Sequence, residues 1–155
     1  MKDKIIKIIM WLFVLIMIIV IFLFSNMSSG SSNSKSKEII KGSIVLVDKV
    51  FNTNMSDTEI NKLVNKLNYP FRKICHFMEY FILSLLLVIS LKLSNVSVKK
   101  IIIITISFCF IFSLSDEIHQ MFIVGRSPMF IDCIIDTFGS CLLCFIYYLR
   151  TNKIN

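Results

Sequence analysis

What this 155-residue chain lacks first is charge. Only 17% of its residues are Asp, Glu, Lys or Arg, against about 25% in soluble globular domains, while 55% are hydrophobic. That shortage argues against a soluble globule. Acids are scarcest, 10 against 17 basic residues, for a formal net charge of +7. Such an excess can signal nucleic acid, but the lysines are scattered around apolar segments and build no basic face with interleaved aromatics. No nucleic-acid partner is expected. The five cysteines, Cys75, Cys109, Cys133, Cys141 and Cys144, are odd in number and all fall in or beside apolar runs. A disulfide framework is therefore not expected. Cys141 and Cys144, three apart on one helical face, could bind metal, but without a second pair they read as small packing residues. There is no internal repeat, no HExxH and no DxDxDG pattern. No cofactor is expected.

What is present is apolar sequence in long runs. Residues 5–24, IIKIIMWLFVLIMIIVIFLF, hold one lysine and are otherwise apolar, and about 20 such residues cross a bilayer core. The run is longer than the 7–15 apolar residues usual in a cleaved signal peptide, so it reads as a retained anchor. Further spans are predicted at about 74–91, 100–115 and 129–149. The expected fold is an all-α, polytopic membrane bundle of four transmembrane helices, a single membrane domain over 1–155.

Lysine and arginine in the short flanks set the expected orientation. Lys2, Lys4 and Lys7, then Lys92, Lys99 and Lys100, then Arg150 and Lys153 all fall on one side of a four-span model. The opposing short connection, 116–128, has only Arg126. Both termini are thus expected in the cytoplasm. The long extracytoplasmic connection, 25–72, opens with SNMSSGSSNSKS, whose serine density suggests a flexible linker. Beyond it, Ile40, Ile44, Val47 and Phe51 recur at helical spacing. Ser56 and Glu59 then form a potential capping box, followed by Ile60, Leu63, Val64 and Leu67 on one face. Two short amphipathic helices are predicted there.

The polar residues that a membrane helix should avoid collect at one end of the spans. Arg72, His76 and Glu79 share a helical face, and Lys73, His76 and Tyr80 the adjoining one. Asp116, Glu117 and Gln120 close the third span. Asp132 and Asp136 open the fourth, one turn apart, with Gly139 and Ser140 on the same side. Each Asp, Arg or Lys at mid-helix costs about 2.5–3.5 kcal/mol to insert, less near the interface. Asp136, two turns deep, must therefore face a partner or a wet cavity. His119 adjoins Gln120, and successive helical residues point about 100° apart. If Gln120 faces inward, His119 faces away.

The segments FRKICHFMEYFILSLLL and SDEIHQMFIVGRSPMFIDCIIDTFGS, with the serine-rich stretch after the first span, resemble the signature regions of VanZ-like membrane proteins. The resemblance covers nearly the whole chain, and residues 38–68 contribute least. Its matching positions are Arg72, Lys73, His76, Glu79, Tyr80, Asp116, Glu117, Gln120, Arg126, Asp132, Asp136 and Gly139. It implies a multi-span helical protein of the bacterial cytoplasmic membrane, a cell-envelope setting common in Gram-positive bacteria, and a founding member associated with teicoplanin resistance. It implies no agreed mechanism.

Three readings of the cluster stand at this stage. In the first, Arg72, Lys73 and Arg126 receive the anionic head of a lipid-linked or cell-wall component from the outer leaflet. In the second, the site is an enzyme, with His76 and Glu79, Asp116 or Glu117 as base and orienting partner, or with carboxylates around a divalent ion. In the third, internal ion pairs only fix helix packing, which adds little net stability.

Overall fold

The structure, a computed structural model, describes residues 2–152. Its helices are α1 (Lys2–Ser25), α2 (Ser29–Phe51), α3 (Asp57–Leu93), α4 (Val98–Gln120) and α5 (Phe130–Asn152), and no strand occurs among the described residues. Lys153, one of the tail cations in the orientation argument, lies outside them. α1, α3, α4 and α5 are each long and apolar enough to cross a membrane. The chain is an all-helical membrane protein.

The four spans form a bundle that is apolar on its outside as well as in its core. Large apolar side chains such as Leu15 and Ile16 of α1, Ile111 of α4 and Phe138 and Phe145 of α5 are exposed on the outside, as a hydrocarbon solvent allows. Ser84 and Ser90 of α3, Thr105, Cys109 and Ser113 of α4, and Cys133 and Ser140 of α5 are fully buried inside. Lipid tails are as apolar as leucine, so helices in a bilayer associate through close packing of small residues rather than through segregation of large ones. Gly139 marks the tightest approach. A Cβ there would lie 2.5 Å from the Phe77 carbonyl oxygen, so only glycine lets α5 sit this close to α3. All five cysteines are free, and Cys109, Cys133 and Cys144 are buried packing residues.

α3 carries the largest difference from the sequence expectation. Its 37 residues make a rod of about 55 Å, far longer than the roughly 30 Å hydrocarbon core. The second expected amphipathic helix and the second span are one continuous helix. Pro70 lies within it, withholding the N–H that would reach the Lys66 carbonyl and crowding that carbonyl with its ring. The Ser56–Glu59 capping box starts the helix. The serine-rich stretch is not a linker either: Ser28 caps α2 by accepting from the Ser31 N–H at 3.3 Å, and the helix runs from Ser29 to Phe51. α2 and the first half of α3 pack as an antiparallel hairpin. Ile40, Ile60 and Val64 form its core. Ser36 Oγ donates to Asn68 Oδ1 at 2.6 Å, and Asn68 Nδ2 donates to Asn33 Oδ1.

Candidate site at the polar end of the bundle

α1 and α4 end, and the second half of α3 and α5 begin, at the same end of the bundle. The α2–α3 hairpin and the connection 121–129 cover that end. The sequence-predicted residues divide there into two kinds, those bound into the architecture and those left facing space.

The architectural kind includes Arg126. Its Nη2 donates to the Phe24 carbonyl at 3.0 Å and its Nε to the Met27 carbonyl at 3.1 Å. These carbonyls lie in the last turn of α1 and just beyond it, Phe24 O also accepting from the Met27 N–H at 3.3 Å, where a cation complements the helix dipole. Glu117 does the converse for α5: its Oε2 accepts from the Met129 N–H at 2.8 Å, just before the helix begins. Asp132, in the first turn of α5, forms an ion pair with Lys73, whose ammonium also lies 5.0 Å from the centre of the Tyr69 ring. Gln120 donates to Asp116 Oδ2 at 3.0 Å, one turn back on α4.

The deepest carboxylate is Asp136, only 1% exposed. Ser113 of α4 donates to its Oδ2 at 2.6 Å, and His76 Nδ1 of α3 lies 3.6 Å from its Oδ1. The pairing joins α3, α4 and α5 at one point. It rests on the small interface at Gly139, one turn deeper, which lets α5 reach α3. Sequence spacing brought the helices together but not this choice of partner: of the acids near His76, the one in contact is Asp136. Ser113 was missed, although its place three residues before Asp116 puts it on the same face of α4.

Several buried polar atoms at this end make no hydrogen bond within the protein: Tyr80 Oη, Asp136 Oδ1, Glu117 Oε1 and Ser25 Oγ. A buried polar group left without a partner costs about 1–3 kcal/mol, and Ser90 Oγ and Thr105 Oγ1, elsewhere in the bundle, are without partners too. His119 Nε2 is also without a partner. Its ring packs on Phe22 of α1, with centroids 4.9 Å apart, while Gln120 faces Asp116. The two point apart, as neighbouring helix positions require.

Two cavities meet here, sharing Arg72, His76 and Arg126. One, of about 200 Å³, adds Glu79 and Asp116, with Lys35 and Ser36 of α2 and Phe24 of α1. The other, of about 160 Å³, adds Lys73, Gln120 and Asp132. The face predicted from Arg72, His76 and Glu79 thus comes together on the wall of the first cavity. Arg72 has no ion-pair or hydrogen-bond partner among the described residues, unlike Lys73 and Arg126. Tyr80 lines neither cavity and is fully buried. Lys35 was not anticipated, because nothing in the serine-rich stretch announces a helix folded back over the bundle. Among the described residues no three His, Cys, Asp or Glu side chains converge as a metal ion would need.

No curated protein and no solved structure matches the chain. The family model described as VanZ/LLP1 matches residues 10–151, which reaches every helix and includes every residue of the polar end. The chain belongs to the VanZ/LLP1 family.

Proposed function

We propose that this protein binds the anionic head of a lipid-linked or cell-wall component at the polar end of its bundle, acting as a non-catalytic binder or modulator in the bacterial envelope. The observation that carries the reading is Arg72. Its guanidinium lines both cavities without a partner among the described residues, beside Arg126 and Lys35. A free guanidinium offers paired donors that match a phosphate or carboxylate in two-point contact. Glu79 and Asp116, on the same cavity wall, would receive hydroxyl or amine groups of the ligand.

The same reading sets the protein in the cytoplasmic membrane with both termini inside and the polar end at the outer leaflet. Its support is the cation bias of the short flanks: the 121–129 connection carries only Arg126, whereas Lys92, Lys99, Lys100 and Arg150 lie at the opposite end. Altered glycopeptide susceptibility, teicoplanin in particular, is the cellular effect to look for.

A second reading, a membrane-embedded hydrolase or transferase acting on a lipid-linked substrate, is favoured by one contact. Asp136 beside His76 Nδ1 would orient the imidazole so that its other nitrogen serves as a general base toward the cavities His76 lines. His76→Gln separates the two readings. A binder retains its ligand in that variant, whereas an enzyme retains substrate and loses turnover.

The test of the binding reading is mass spectrometry of lipids that co-purify in mild detergent. A phosphate-bearing polyprenyl or wall-precursor species, depleted in Arg72→Gln, is expected. Bulk phospholipid alone, unchanged by the substitution, would reject it.

A further inference from the structure

We infer that the groove between α2 and the first half of α3 holds the hydrocarbon tail of the ligand whose head sits at Arg72. The inference rests on the head-group reading above and names the ligand class: a phosphate carried on a long single chain. The groove encloses about 440 Å³. Ile40, Ile44 and Val47 form one wall, and Leu63, Leu67 and Phe71 the other. Its one hydroxyl, Ser43, is turned to its own helix, where it donates to the Ile39 carbonyl at 2.9 Å. The groove therefore offers an occupant no side-chain hydrogen bond, and only hydrocarbon fits it without loss.

Continuity with the polar cavity ties this groove to one ligand. Phe71 lines both spaces, and the adjacent residues Ile39 and Ile40 of α2 face the cavity and the groove respectively. A molecule with its anion at Arg72 and its chain past Phe71 would satisfy both without crossing a polar barrier. From Leu63 to Ile74 the α3 wall runs about 16 Å along the helix, room for an extended chain rather than a short substituent. α3 is longer than a bilayer core is thick, so the groove lies along the half of the helix that projects beyond the spanning part. A tail there has left the leaflet, which bulk lipid has no reason to do.

The test uses the full chain in phosphatidylcholine nanodiscs and hexadecyl phosphate carrying a mid-chain diazirine. Butyl phosphate, followed by its phosphorus NMR signal, reads the head contact alone. After irradiation, adducts are expected on α2 and α3 groove residues, several-fold fewer in Arg72→Gln and several-fold fewer in Val47→Gln/Leu67→Gln. Both of those side chains are exposed, so the second variant keeps its fold, and its binding of butyl phosphate should not change. If butyl phosphate binds through Arg72 but adducts fall on the outer faces of α1 or α5, the tail inference is wrong and the head reading stands. If butyl phosphate does not bind, the head reading itself is lost. Equal groove labelling by the matching diazirine alcohol, or cross-linking of the groove to a second copy of the chain, would also overturn the inference.

Discussion

Two polar clusters on α3, about two turns apart, the first half-buried, are built in opposite ways. At Asn68 the groups close on one another: Ser36 donates to Asn68, Asn68 donates to Asn33, and Ser36 also reaches the Asn33 carbonyl at 3.1 Å. At His76 they do not close. Asp136 takes one hydrogen bond from Ser113 and has a free oxygen, while Tyr80 and Glu117 leave further atoms without partners. A closed network rigidifies a contact and asks for nothing more. An open one carries a continuing cost, and of the unpartnered groups at this end Ser25 belongs to a cavity wall, where a bound ligand can meet it, whereas Asp136, Tyr80 and Glu117 lie behind the walls. The difference separates scaffold from site within a single helix.

The strongest way to break the comparison is to remove the approach that creates the open cluster. Gly139→Leu must push α5 off the Phe77 carbonyl and so part Asp136 from His76. The expected cost lies at the upper end of the about 1–3 kcal/mol seen for overpacking, or beyond it, read as a loss of thermal stability in detergent. Wild-type stability in this variant would mean that the interface is looser than drawn.

Arg126→Gln comes next, and it sharpens the division between architecture and site. It removes two hydrogen bonds from a charged donor to the end of α1, each worth about 1.5–3 kcal/mol, so α1 should detach more readily and thermal stability should fall. Arg72→Gln, with no such partners, should leave stability unchanged and remove ligand. Equal melting temperatures for the two variants would erase the distinction.

Asn68→Ala and Asp136→Asn set the clusters directly against each other. The first removes two hydrogen bonds, each worth about 0.5–1.5 kcal/mol, while Ser36 keeps the Asn33 carbonyl, and should spare ligand retention. The second keeps an acceptor for Ser113, so it should cost no more than about 1 kcal/mol, while freeing His76, which lines both cavities, from its acidic neighbour and so reducing ligand retention several-fold. The reverse pattern would make Asp136 the scaffold residue.

The smallest effect is one of pH at the tip of the hairpin. The Ser56 backbone N–H, then its hydroxyl, hold the Glu59 carboxyl below the usual range. The Thr53 hydroxyl, then the Met55 N–H, do the same for Asp48. Because the folded values are depressed, this stabilisation is complete above the unfolded carboxylate range and is lost as pH falls through the folded values. Amide protection across residues 48–60, taken relative to the intrinsic exchange rate at each pH, should therefore fall only at acidic pH. Loss of protection near neutrality would contradict the assignment.

Much of this was legible in the residues. Four apolar runs gave four spans, Ser56 with Glu59 announced a helix start, and one-turn spacings gathered the charged residues at one end. The remainder was hidden for specific reasons. Hydropathy changes abruptly near Ile74, so one helix through Pro70 looked like two. The partners of Arg126 are backbone carbonyls of Phe24 and Met27, which have no side-chain signature. The choice of Asp136 for His76 depends on how α3 and α5 rotate about Gly139, and spacing along one helix does not encode that rotation. Lys35 joins the cavity only because a serine-rich segment is helical, against its composition.

The central claim is that the open cluster is a site for an anionic head group. Its most direct test is the lipid retained by wild type, Arg72→Gln and Arg126→Gln after identical purification, with thermal stability measured on the same samples. The account predicts a phosphate-bearing lipid in the wild type and its loss from Arg72→Gln at unchanged stability. Loss of lipid only in proportion to loss of stability, or no enriched anionic lipid in any sample, would contradict it and return the cluster to helix packing.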